Sequence, residues 1–205
     1  MKSIKRKTNN RGFSLVELIV IIAIMALAGG AISLSVSLVV GSEAKKAVQK
    51  IEASLNEVKT GTMSRYSETL SVQYLLKDEA EGRDTDGFYV VESINTIKKG
   101  TGTDAIEVRS MGKEQRRICD KRVAMTLAYK DTSGAETTTD LSDDGSNSFV
   151  FEYDRATGLF KPIGIGDASG SITHYGQPVS LTCTSGLRTY TIKFIPETGK
   201  HIREN

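Results

Sequence analysis

Arg11-Gly12-Phe13-Ser14-Leu15-Val16-Glu17-Leu18-Ile19 joins two segments of opposite character. Before it stand Lys2, Lys5, Arg6 and Lys7, which with Arg11 place five cations and no acid in the first twelve residues. After it, Leu18 to Val40 is apolar except for Ser33, Ser35, Ser37 and the pair Gly29-Gly30. Glu17 is the single charged side chain from Phe13 to Val40. A helix rises ~1.5 Å per residue, so the apolar run would extend roughly 35 Å. A bilayer core is about 30 Å thick. Serine hydroxyls bond back to the preceding helical turn and do not veto insertion. These residues predict a membrane span over about 18–40, with the N-terminus cytoplasmic and the following chain translocated. A secretory signal shares the basic-then-apolar order, and cleavage after Ala28 or Ala31 would fit it. Its apolar region, however, is shorter, about 7–15 residues.

The helical pattern continues past the apolar run. Ala44, Val48, Ile51, Leu55 and Val58 recur at alternating spacings of four and three, with Glu43, Lys45, Lys46, Lys50, Glu52, Glu57 and Lys59 on the other faces. That is an amphipathic helix, expected to end near Gly61. From Ser67 the period falls to two. Strands are expected at Leu70–Leu76, Phe88–Ile94, Ile106–Arg109, Val123–Tyr129, Phe149–Tyr153 and Tyr190–Phe194. Asp78 to Gly87 reads as an acidic turn region, and Asp154–Gly158 and Pro196–Gly199 as hairpin turns. The polar, glycine-rich segments Asp131–Asn147 and Gly164–Gly186 are expected to be loops. The expected fold class is α+β, a long N-terminal helix packed on an antiparallel β-sheet. The expected organisation is a leader at 1–12, a helix at 13–61 and a β-rich extracytoplasmic domain at 62–205.

Net charge excludes less than it first suggests. The whole chain carries a formal +2. Five of its 27 basic residues lie in the first twelve, leaving 22 from Gly41 onward against 24 of the 25 acids. The body is near neutral and gives no support for nucleic-acid binding. Lys98, Lys99, Lys113, Arg116, Arg117, Lys121 and Arg122 form a basic-leaning band, better read as a solvated strand-and-turn surface than as a convincing nucleic-acid site. His174 and His201, the two histidines, both fall among residues read as loops. No HExxH, GxSxG or P-loop occurs, so neither an enzyme nor a cofactor is indicated. Asp140, Ser142 and Asp144 match the start of a calcium loop, but Phe151 stands where the bidentate Glu belongs, so a solvated turn fits better and no metal is expected.

The stretch from Arg11 to Ile19 resembles the signal of type IV prepilins and type II secretion pseudopilins. A basic leader ends in Gly12; Phe13 follows, and Glu17 is five residues into the mature chain. The resemblance implies cleavage between Gly12 and Phe13 by a membrane-embedded prepilin peptidase, then methylation of Phe13. It also implies assembly with other pilin subunits, aided by a platform membrane protein and an ATPase. A carboxylate in a membrane helix costs at least ~2.5 kcal/mol. The resemblance supplies a partner for Glu17, the Phe13 amine of a neighbouring subunit; solvation at the headgroup boundary is the plainer alternative. Many relatives carry a helix-kinking Pro near Leu34, which is absent here. Gly29 and Gly30 stand instead as a point of helix melting or of close helix packing. The family often carries a disulfide, for which Cys119 and Cys183 are the two candidates; two free thiols are the alternative. The implied function is a structural subunit, a minor pilin by its length and loops. A pseudopilin of a secretion or competence apparatus is the alternative. A membrane-tethered binding domain with a borrowed leader is a third reading. Lipid is the expected environment, and the cell surface the expected place after assembly.

Overall fold

The computed structural model describes residues 14–64, 68–94, 98–99, 106–107, 114–167 and 172–204; at 29–40, 94, 98–99, 106–107 and 167 it describes the backbone alone. Among the described residues one α-helix, α1 (Leu15–Ser64), is followed by twelve strands, with a 3-10 turn at Pro196–Thr198 between the last two. These are β1 (Glu68–Leu75), β2 (Gly87–Ile94), β3 (Lys98–Lys99), β4 (Ile106–Glu107), β5 (Glu114–Cys119), β6 (Ala124–Lys130), β7 (Glu136–Asp140), β8 (Asn147–Glu152), β9 (Ile163–Asp167), β10 (Ile172–Ser185), β11 (Arg188–Ile195) and β12 (Lys200–Glu204). The class is α+β, and every strand pairing among the described residues is antiparallel. The chain divides into two compact units, Met1–Val39 and Val40–Asn205, so the division falls inside α1.

In the first unit the described side chains of α1 are exposed, from Leu15 through Leu27. Among the described residues no helix is long and apolar enough to cross a membrane. The span expected over 18–40 runs through 29–40, whose side chains lie outside the described set. Gly29 and Gly30 are helical within α1.

The second unit is built on the remainder of α1. Ala44, Ala47, Val48, Ile51, Leu55 and Val58 are wholly buried and join one hydrophobic cluster with Leu70, Val72, Phe149, Phe151 and Ile192. The four-and-three spacing keeps these side chains on one stripe as the helix advances. Burial of each branched member contributes about 1.5–3 kcal/mol. Central to the sheet is β1, paired on one side with β2 and on the other with β8. Its Leu70, Val72 and Tyr74 point into the core by the two-residue alternation. The sheet runs β12-β11-β10-β9-β8-β1-β2-β5, with β6 also on β10 and β7 on β6. Phe160 stacks against Tyr153 and Phe194, with ring centroids 4.5 and 5.3 Å away.

Several expectations need correction. The helix runs three residues past Gly61. Thr60 and Ser64 hydroxyls donate to carbonyls one turn back, and Gly61 leaves room for Glu68, whose carboxylate would collide with a Cβ there. Glycine serves close approach at this point, not termination. The expected loop Gly164–Gly186 is mostly β9 and the fourteen-residue β10. Threonine suits a strand, and Thr182 and Thr184 meet Thr191 and Thr189 across the β10–β11 pair at 3.2 and 3.1 Å. Gly176 lets Tyr129 close onto β10. Likewise Asp131–Asn147 contains β7. His174 and His201 therefore lie in β10 and β12, not in loops.

Candidate processing and assembly site

Ser14 begins the described chain. Its hydroxyl oxygen accepts from the Glu17 backbone N–H at 3.2 Å, and its carbonyl accepts from the Leu18 N–H at 3.1 Å. Ser14 is thus the N-cap of α1, satisfying a donor that the first turn leaves orphaned. Glu17 is the one acid in that turn, and it is exposed. A carboxylate there is favoured by the positive end of the helix dipole. Ser14-x-x-Glu17 is the spacing of a capping box, a pattern legible in the sequence and missed there in favour of Gly12, Phe13 and Glu17. Gly12 and Phe13 lie outside the described residues. The helix begins at Leu15, two residues after Phe13.

The other candidates are dispersed over the second unit. Cys119 ends β5 and Cys183 lies in β10; both are free thiols and both are buried. Burial pushes both thiols up, Cys183 to about 12, and the nearby Cys183 charge raises Cys119 further. The calcium candidate resolves into turn chemistry. Asp144 accepts from the Ser146 N–H at 2.8 Å, Asp140 accepts from the Thr126 hydroxyl at 2.6 Å, and the Ser142 N–H donates to Asn147 at 2.8 Å. Among the described residues no group of three His, Cys, Asp or Glu side chains stands close enough to hold a metal ion.

Of the basic band, Lys113 and the side chains of Lys98 and Lys99 lie outside the described set; Arg116 and Arg122 are ion-paired. Arg116 pairs with Glu57 at 2.8 Å and with Glu92, and Arg122 pairs with Asp120 at 2.5 Å. Burial raises the Glu92 carboxyl and outweighs the opposing pull of Arg116. Lys50 donates to the Arg117 and Ile118 carbonyls at 2.9 and 3.1 Å, fastening α1 to β5. A cavity of about 260 Å³ beside this fastening is lined by Lys50, Ser54, Val90 and Arg116.

Comparison with known proteins bears on the N-terminal end alone. Residues 7–33 match the family model described as the prokaryotic N-terminal methylation motif, the prepilin-type signal of type IV pilins and pseudopilins. No curated protein and no solved structure matches the chain. The matched segment takes in the Gly12–Phe13 bond, the Ser14 cap, Glu17 and the pair Gly29-Gly30.

Proposed function

We propose that this chain, which carries a prepilin-type signal, is a structural subunit of a type IV pilus-like filament, a minor pilin processed by prepilin peptidase before assembly. The match over residues 7–33 carries this reading. Cleavage between Gly12 and Phe13 removes all five leader cations and leaves an amine four residues from Glu17. That amine pairs with Glu17 of a neighbouring subunit and fixes the axial register. Residues 15–40 are the shared helical core of the filament, anchored in the membrane until assembly. The platform protein and the ATPase act on the processed form. The second unit, its helix and sheet packed as in a pilin, is displayed outside, where an oxidising environment closes Cys119 and Cys183 into a disulfide.

A pseudopilin of a secretion or competence apparatus uses the same chemistry, and the match over 7–33 supports it equally. A neighbouring retraction ATPase gene favours the pilus, and a neighbouring secretin gene favours secretion. Substitution Glu17→Ala tests the role in assembly. Processing stays intact while filament incorporation falls; normal incorporation contradicts the amine pairing.

A further inference from the structure

Three segments of the second unit meet where the chain passes from Val40 to Gly41. The start of its share of α1 is bare backbone at Gly41, and the Arg188 stem lies on it: a Cβ at Gly41 would fall 2.5 Å from Arg188 Cδ. Arg188 opens β11 directly after the hairpin loop Gly186-Leu187. The Ser185 hydroxyl donates to the Arg122 carbonyl at 3.5 Å, joining this hairpin to the turn between β5 and β6. That turn carries Lys121 and Arg122, both exposed.

Leu187 is 94% exposed, more than any other large apolar residue among those described. The turn does not require it. Gly186 takes the positive φ of 60°, and no other described residue with a side chain does. A two-residue loop with glycine first accepts a polar residue at the second place. A leucine held at a hairpin tip, with Arg188 next in sequence and Lys121 and Arg122 on the adjoining turn, has the composition of an interfacial contact. Asp120 and Glu43 act on Arg122, so Lys121 and Arg188 carry the surplus positive charge. Among the described residues Lys121 and Arg188 enter no ion pair, while Arg122 is held by Asp120.

We propose that Leu187, with Lys121, Arg122 and Arg188, forms a collar that docks on anionic lipid headgroups where the chain enters the membrane. This rests on the reading of the apolar N-terminal segment as membrane-embedded. Chain continuity selects the occupant. Gly41 adjoins the last residue of the apolar run, so a bilayer holding that run brings its headgroups to this end of the unit. Charge complementarity selects anionic lipid. Each basic residue near such a surface strengthens contact about fivefold. The collar holds the subunit against the bilayer before assembly and is released on extraction into the filament.

The test reconstitutes the full chain in vesicles of phosphatidylcholine alone and of phosphatidylcholine with phosphatidylglycerol. Flotation reports insertion, and amide hydrogen exchange is read over residues 119–123 and 184–190. Exchange at the hairpin is expected to slow about fivefold or more in the anionic vesicles. The triple variant Lys121→Gln, Arg122→Gln, Arg188→Gln and the single variant Leu187→Ser lose the slowing, with thermal unfolding unchanged. Flotation with both vesicles but equal exchange overturns the collar alone. Failure to float with either overturns the membrane premise and the collar with it. Slowing that appears in neutral vesicles and grows with protein density assigns the face to a second copy of the chain, and overturns the lipid contact.

Discussion

The hydroxyl of Ser14 and the backbone N–H of Glu17 are joined by a 3.2 Å hydrogen bond at the first turn of α1. The bond ties the helix start to a point two residues after the proposed cleavage bond. Glu17 therefore has a local reason to stand in this turn as well as a proposed one between subunits. Replacing an N-cap serine by alanine costs about 1 kcal/mol. Ser14→Ala is expected to speed amide exchange over Leu15–Leu18 about fivefold in detergent micelles, and Ser14→Asp to restore it. Equal exchange in wild type and Ser14→Ala would show the cap to be idle.

His201 gives the fold an acid-sensitive point. It pairs with Phe194 across β11 and β12, and its Nδ1 is buried with no partner. Burial holds the imidazole below its ordinary 6.5, Lys59 adds to the lowering, and Glu52 opposes it. The unfolded chain thus binds this proton more readily than the folded one. His201 contributes stability above about pH 6.5 that is lost as pH falls toward its folded pKa. Glu92 has the opposite sign. Its raised carboxyl contributes below its ordinary 4.5, and that contribution is lost as pH rises through its folded pKa. Urea midpoints are expected to fall between about pH 7 and pH 5, and His201→Gln to flatten the fall. A variant that declines as steeply as wild type contradicts the assignment.

The thiols offer a third check. Cys119 and Cys183 are buried, and burial raises both. Few thiolates form near neutral pH, so the reduced native chain is expected to resist alkylation and to react at both cysteines on unfolding. Rapid native labelling would contradict their burial. Under oxidising conditions the proposed bond would close a long loop and add about 4 kcal/mol. Its signature is a reductant-sensitive fall in the thermal midpoint.

The residues explain what could be read in advance. Ala44, Val48, Ile51, Leu55 and Val58 declare a helix because they repeat on one stripe. Leu70, Val72 and Tyr74 declare β1 by alternation. By contrast β10 was obscured because its less buried positions include His174, Gln177, Ser180, Thr182 and Thr184 and its inward ones include Gly176 and Pro178, a composition shared with loops. Likewise β5 was hidden by its charges: Arg116 is met by Glu57 and Glu92, and Arg117 by the Asp86 carbonyl, all from other elements. Those partners are distant in sequence, so no local pattern announces them. At the candidate site the reverse held. The Ser14 cap is local and legible as Ser-x-x-Glu, but it overlaps the more distinctive pattern of Gly12, Phe13 and Glu17.

Cleavage of the bond between Gly12 and Phe13 is the step on which the proposed function turns. Mass spectrometry of the N-terminal peptide, taken from protein made alongside a prepilin peptidase, reads that bond directly. A methylated chain beginning at Phe13 is the predicted result. An intact leader, or a chain beginning just after Ala28, would contradict it.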